Sequence, residues 1–481
     1  MPDDAPQSTP TTTPNGGSAA SARPSDPADL LFAGPARLAA LVRAGDVSPR
    51  ELVEASLRRI EALDPQLNAF RKVLAERAMA EAGQAEARAR AGDDRPLLGV
   101  PVAVKDEMGL QGEVRHDGSN AAGAPETEDW GLVKSLRAAV AIVVGLTHVP
   151  ELTIWPFTGS ATFGITRNPW DAQRTPGGSS GGSGAAVAAG MVPLATASDG
   201  GGSIRIPAAF CGLVGLKPQR GRIPYTHHAS GEHWNGLSAL GFLARTTADA
   251  ALAYEAVTGR PYVAAAAREP GKLRIALSFG LPRGLFAKVD PRQRRATEAV
   301  AETLRGLGHE VVEPDPDYGL SALNWGTRYF VGIADDAAAM AHPERLEPRT
   351  KGCARIGRIQ RPLLDRARAG EAADAAEANA IFDDVDVILG PATAQRPPEV
   401  GRWTGRGALR TFNGVGQVVP FNAVWNHLGN PAMSVPSGFS DDGLPTAVQL
   451  VSRPDAEETL FSLAAQIEAA RPWADRRPPV S

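Results

Sequence analysis

From Leu30 onward the chain switches between two apolar patterns. Leu30, Leu31, Leu38, Leu41 and Val42 recur at the spacing of a helix with one buried face. Ser48-Pro49-Arg50-Glu51 then has the form of a capping box with proline at the first helical position. It predicts a helix carrying Leu52, Val53, Leu57, Ile60 and Leu63 and ending at Asp64-Pro65. An Ala/Glu/Arg-rich helix is expected at 73–91 and another helix at 130–139. Short continuous apolar runs read as buried strands at 99–106, running into Lys105, and at 140–144. Further on, strands are expected at 272–277, 310–312, 384–389 and 447–451, with helices at 291–307 and 456–470. Strands alternating with helices predict an α/β protein with a mostly parallel or mixed sheet.

The first 28 residues fall outside this pattern. They are rich in Pro, Thr, Ser, Gly and Ala and carry almost no large apolar side chain. Such a segment cannot bury enough surface to offset its ordering entropy, so 1–28 is expected to be a disordered N-terminal tail. It opens with acids and lacks an apolar stretch, unlike a secretory signal. No internal repeat or low-complexity linker interrupts 29–475, which is expected to be one large domain, followed by a short tail at 476–481.

Of the 481 residues, 43% are hydrophobic and 22% charged, which leaves ample material for a large core. A net charge of −4 argues against a nucleic-acid or anionic-membrane surface. No apolar run reaches the roughly 18–20 residues that span a bilayer. Cys211 and Cys353 stand far apart and in no Cys-x-x-Cys pattern, so neither a zinc site nor a disulfide framework is expected. A reducing, cytoplasmic setting fits this usage.

Two glycine-rich runs carry the chemistry. One is Pro176-Gly177-Gly178-Ser179-Ser180-Gly181-Gly182-Ser183-Gly184, leading into Ala185 to Gly190. The other is Ser198-Asp199-Gly200-Gly201-Gly202-Ser203-Ile204-Arg205. A flexible linker would not run straight into an apolar helix former. Dense glycine inside an apolar segment implies close backbone approach or positive φ, and backbone N–H groups offered to an anion or oxyanion. A phosphate loop would need Lys-Ser/Thr after the last glycine, and neither run has it. Acyl transfer by a serine behind a glycine loop remains, with Ser203 as the nucleophile and backbone donors nearby. The Gly-x-Ser-x-Gly elbow is absent, because Arg205 stands where its second glycine would be. His116, His148, His227, His228 and His233 sit in loop-like contexts and read as surface or pocket-rim residues rather than the base. A lysine can serve when burial makes its amine neutral. Lys105, after the apolar strand, is placed for that.

These segments together resemble the amidase signature family in order, residue type and spacing. The likeness extends over about 29–475 and includes Asn168-Pro169-Trp170, Cys211-Gly212-Leu213-Val214-Gly215-Leu216-Lys217-Pro218 and Gly429-Asn430-Pro431-Ala432. It implies a single domain with a mixed central β-sheet covered by helices on both faces. It also implies a catalytic triad. Lys105 would be the base, Ser179 the proton relay behind a cis peptide bond, and Ser203 the nucleophile. Gly200, Gly201 and Gly202 would supply the oxyanion hole, with Ser180, Asp199 and Arg205 as supports. No metal or cofactor is implied.

The chain departs from the family's common pattern at Glu107-Met108-Gly109, where Asn-Ile/Val-Asp is usual, at Gly145-Leu146-Thr147-His148 and at Val140. These positions are expected to flank the pocket and to bear on substrate identity, as are Trp155, Phe157 and His148. The implied substrate is a small-molecule amide, with esters and carbamates as alternatives, so an amidase or a urethanase would look alike here. A reading of a different class is the glutaminase subunit of a tRNA-dependent amidotransferase, but 151–164 does not resemble that subfamily's pattern. A non-enzymatic binding protein would not need all three triad positions intact. Family members are often homodimers, and no residue here decides that for this chain.

Overall fold

The expected capping box closes the first long helix. Ser48 Oγ accepts the Glu51 N–H at 3.1 Å, and the Glu51 carboxylate accepts the Ser48 N–H at 2.8 Å. In this computed structural model, which describes residues 27–226 and 231–481, that helix spans Pro49–Leu67. It therefore passes the predicted stop at Asp64-Pro65. Pro65 falls in the last turn, and the end is held beyond it. Asp64 C=O accepts the Asn68 N–H, and the Asp64 carboxylate accepts that of Ala69 at 2.6 Å. The next helix is Ala75–Arg90 rather than 73–91, because Val73 closes a short strand. The expected tail at 1–28 lies, as far as residue 26, outside the described residues, as do His227 and His228.

In chain order the strands are β1 (Phe70–Val73), β2 (Pro101–Lys105), β3 (Ile142–Thr147), β4 (Gly159–Ser160), β5 (Gly164–Ile165), β6 (Leu194–Asp199), β7 (Gly215–Lys217), β8 (Ala239–Ala244), β9 (Arg274–Leu277), β10 (Glu310–Val312), β11 (Val387–Pro391), β12 (Ala432–Phe439) and β13 (Pro445–Ser452). One sheet runs β1-β3-β2-β6-β8 and another β10-β9-β11-β13-β12-β7; β4 and β5 form a separate hairpin. The two large sheets meet where Val214 and Ala244 exchange both backbone hydrogen bonds, at 2.9 and 3.2 Å. The expected central sheet is thus mixed and assembled from two segments.

Every residue of β2, β3, β6 and β8 is buried. Strands buried along their whole length have both faces covered, as the unbroken apolar runs imply. β2 lies between β3 and β6 and is parallel to both. Lys105 and Asp199 therefore end their strands at the same edge. In open parallel sheets the crevice outside the carboxyl ends of the strands is where ligands bind. Among the described residues no helix is long and apolar enough to cross a membrane, and no group of three or more His, Cys, Asp or Glu is placed to hold a metal ion.

Candidate active site

Lys105 is the last residue of β2, and its side chain is wholly enclosed. Its backbone N–H donates to Thr196 Oγ1 at 2.8 Å, which fixes the strand end against β6. Three oxygens surround the amine. Ser179 Oγ lies 2.8 Å from Nζ, Ser198 Oγ 2.7 Å and Glu107 Oε2 2.7 Å. Burial drives the amine below its ordinary pKa, against the opposing pull of the Glu107 carboxylate. Burial pushes Glu107 upward, but the Lys105 charge, His233 and the Ser198 hydroxyl together outweigh it and leave the carboxyl below its usual range.

Ser179 enters this contact because the glycine run lets the chain approach its surroundings closely. The Gly178–Ser179 peptide bond is cis, as the family resemblance implies. Gly178 lies against the backbone of the 155–157 segment, where an added Cβ would come within 2.6 Å of Phe157 N. Beyond the loop, Gly181–Ala188 forms a fully buried helix. Ser180 Oγ and the Ser198 backbone approach each other at 3.4 Å, bringing the two glycine-rich runs side by side.

Ser203 sits between β6 and the buried helix Arg205–Cys211, and it is partly exposed. It opens on a cavity of about 600 Å³ whose wall includes Trp155, Trp234, Trp325, Tyr329 and Phe412. The loop's geometry is set from below. The Asp199 carboxylate takes two bonds from the Arg205 guanidinium at 3.0 Å each and accepts the Gly202 N–H at 2.6 Å and the Ile204 N–H at 3.2 Å. Gly202, at φ +123°, adopts a backbone that L side chains rarely take. Because the Gly202 N–H points at Asp199, this residue departs from its expected oxyanion role; Gly200, Gly201 and Ser203 remain as the candidate donors. Asn426 braces the same loop by donating to the Asp199 C=O at 2.7 Å.

The expected pocket residues separate. Trp155 lines the Ser203 cavity. Phe157 stacks on Trp155 at 5.9 Å and on Trp403 at 4.7 Å, and it faces a neighbouring cavity of about 440 Å³. His148 belongs to neither. It is buried beside Phe163, where burial lowers its pKa to about 4, and its backbone packs against Gly182. His233, expected at the surface or pocket rim, is mostly enclosed. Its ring nitrogens contact Ser238 Oγ at 2.9 Å and Asp336 Oδ2 at 3.1 Å.

Sequence reasoning gave no role to Ser198 or to the wall residues Trp234, Trp325, Tyr329 and Phe412, and it placed Glu107 at the pocket's flank. Glu107 lies beyond the end of β2, in a turn where its N–H donates to the Lys105 carbonyl, so strand spacing gave no signal for it.

A buried amine hydrogen-bonded to a serine lies next to a glycine loop that presents a second serine to an apolar cavity, an arrangement suited to acyl transfer. The chain belongs to the Amidase family, whose pattern it matches over residues 51–461. It is 51% identical over 466 residues to the Mycobacterium tuberculosis protein named "Putative amidase AmiB2", covering 95% of this chain and 100% of that one. The solved structure of 6-aminohexanoate cyclic dimer hydrolase complexed with substrate superposes with a TM-score of 0.86 at 30% identity, covering 94% of this chain and 99% of that one. A bacterial aryl acylamidase of the amidase signature family superposes at 0.81 with 26% identity, covering 92% and 96%.

Proposed function

We propose that this amidase cleaves uncharged carboxylic amides with an aryl or alkyl acyl or amine part, through an acyl-enzyme on Ser203. Neutral Lys105 takes a proton from Ser179 as Ser179 takes one from Ser203. Ser203 Oγ bonds to the carbonyl carbon, and the π pair moves to oxygen, where N–H groups of the glycine loop receive it. The amine leaves with a proton returned through Ser179. Water then cleaves the acyl ester by the same relay. The observation that carries this reading is the 2.8 Å Lys105 Nζ to Ser179 Oγ contact inside a wholly buried setting.

The aromatic wall supports apolar substrates over glutamine, so it disfavours the amidotransferase subunit. Esters and carbamates of the same aryl group present the same carbonyl geometry, and the machinery would attack them too. The test is a panel of aliphatic amides, anilides, amino-acid amides, an ester and an aryl carbamate, run with the wild type and with Ser203→Ala. Hydrolysis of anilides that is lost in Ser203→Ala, together with fluorophosphonate labelling of the wild type alone, supports the proposal. A Ser203→Ala protein with full activity refutes it. Preference for the carbamate would make the chain a urethanase.

A further inference from the structure

We propose that Glu107 is a positioning residue for this reaction: its carboxylate aims the Lys105 amine and sets the pH at which that amine becomes free to take a proton. The proposal rests on the reading of Ser203, Ser179 and Lys105 given above.

Nζ has three oxygen neighbours: it donates to the Ser179 and Ser198 hydroxyls and pairs with Glu107 Oε2 at 2.7 Å. Two are serine hydroxyls, which can donate as well as accept. Glu107 alone brings a negative charge. The carboxylate reaches the amine because the chain turns back at once after β2. Glu107 N–H and Met108 N–H both donate to the Lys105 carbonyl, at 2.8 and 2.9 Å. The two side chains of the pair are 0% and 7% exposed, so little water screens the contact.

Charged and titratable groups face this pair from every side. β6 supplies Ser198 and, further off, Asp199. The turn after β2 supplies Asp117, itself paired with Arg115. The segment after β7 supplies Tyr225 and His233, whose rings stack at 5.5 Å. Asp336, on the helix Ser321–Ala339, holds His233 from behind. Asp199 and Asp117 also favour the ammonium from further off, but Glu107 is the charge that acts at 2.7 Å.

Two influences then compete at Nζ. Desolvation favours the neutral amine, and the carboxylate favours the ammonium. With the carboxylate in place the amine loses its proton at a higher pH. Once neutral it is the stronger base, with the Glu107 charge 2.7 Å away and the lone pair left for Ser179. In the chemical step one proton moves from Ser203 to Ser179 and one from Ser179 to Nζ, giving an ammonium that Glu107 stabilises as it forms. Glu107 is not among the residues that line the Ser203 cavity, so it acts through Lys105 and not on substrate.

The experiment is the pH profile of kcat/KM for the para-nitroanilide of hexanoic acid, with the wild type, Glu107→Gln and Glu107→Asp. An opposite charge at this range shifts a pKa by about 1–3 units. Glu107→Gln should therefore move the acid limb down by about 1–3 pH units, lower the plateau kcat and leave KM near its wild-type value. Glu107→Asp should keep the wild-type limb. The pH dependence of fluorophosphonate labelling at Ser203 should shift in the same way. Glu107→Asn is the second neutral variant should Glu107→Gln fail to fold. An acid limb that stays in place or moves up in the neutral variants overturns the proposal. Ser203→Ala separates the two readings. If it is inactive and the limb is unmoved, only the role of Glu107 falls. If it is fully active, the triad falls and the Glu107 proposal with it.

Discussion

Trp325 donates its indole N–H to the Gly200 carbonyl at 2.9 Å, so the cavity wall and the loop carrying Ser203 form one hydrogen-bonded unit. The indole also stacks on Tyr329 at 4.6 Å and covers Gly201, where an added Cβ would lie 2.8 Å from Trp325 Cζ2. Trp325→Phe keeps an apolar ring and removes the donor. A hydrogen bond of this kind is worth about 1 kcal/mol net, or about a fivefold change in rate if it is needed in the transition state. Steady-state kinetics on an anilide should show kcat reduced about fivefold. An unchanged kcat would mean that the loop holds its shape without the wall.

Gly178 is the place where the relay loop touches the 155–157 backbone. A methyl group there meets backbone atoms, which cannot rotate away as a side chain can. Gly178→Ala should displace Ser179 from Lys105. Misplacement of a reacting group by about 1 Å can cost about 100-fold in rate. The expected result is at least that loss of anilide hydrolysis, with destabilisation of about 1–3 kcal/mol by urea unfolding. Wild-type turnover in this variant would show that the loop has slack.

The parts of the site written in glycine were legible in the sequence, and the parts written in ordinary side chains were not. Ser203 stood out because glycine that dense has few uses inside an apolar segment, whereas the relay role of Ser179 came only with the family resemblance. Lys105 alone would read as a solvated charge at a strand end, and only its combination with the two Ser/Gly runs singles it out. Glu107 was visible but was weighed as a pocket flank, since nothing local says that the chain folds back after β2. Trp325, Tyr329 and Phe412 come from late helices, and their convergence on Ser203 is set by tertiary packing. Elements with a clear apolar period were placed with errors at their ends, but β6, β8, β12 and the helices Thr247–Thr258, Ser321–Ala339 and Pro348–Gln360 were not read from the sequence at all. The helix at Pro65 ran on because Asn68, at φ 51°, and the Asp64 carboxylate cap it two residues later.

Asp249 should make stability fall as pH rises. It lies in the first turn of the helix Thr247–Thr258, beside Gly34. Burial pushes its carboxyl up to about 7, against the Thr246 hydrogen bond and with the added repulsion of Glu468. A carboxyl raised on folding favours the native state fully below its unfolded value of about 4. That contribution is lost as pH climbs through the folded value of about 7. Asp249→Asn stays neutral throughout. Its melting temperature should exceed that of the wild type at about pH 8, and the gain should vanish near pH 4. A gain of equal size at both pH values would trace to packing rather than to charge.

The Asp199–Arg205 pair should be needed for both stability and turnover. Both side chains are fully enclosed. Arg205 also donates to Asn422 O at 3.0 Å, Gln449 Oε1 at 2.8 Å and Asn426 Oδ1 at 2.6 Å, so the guanidinium ties the Ser203 loop to two later segments. With the cation beside it, after the cost of burial is met, the Asp199 carboxyl stays well below the usual carboxylate range. Arg205→Met leaves an unpaired buried anion, and losing one partner of such a pair costs about 3–5 kcal/mol. Asp199→Asn should be harmful by itself, since it strands the guanidinium. The double variant Asp199→Asn/Arg205→Met should be less destabilised than the sum of the two, because neither charge is then left alone. Urea unfolding of the four proteins at neutral pH measures this coupling. Strict additivity would mean that the two charges do not depend on each other. Because Gly202 and Ile204 both donate to Asp199, every Asp199 variant that folds should also lose anilide hydrolysis.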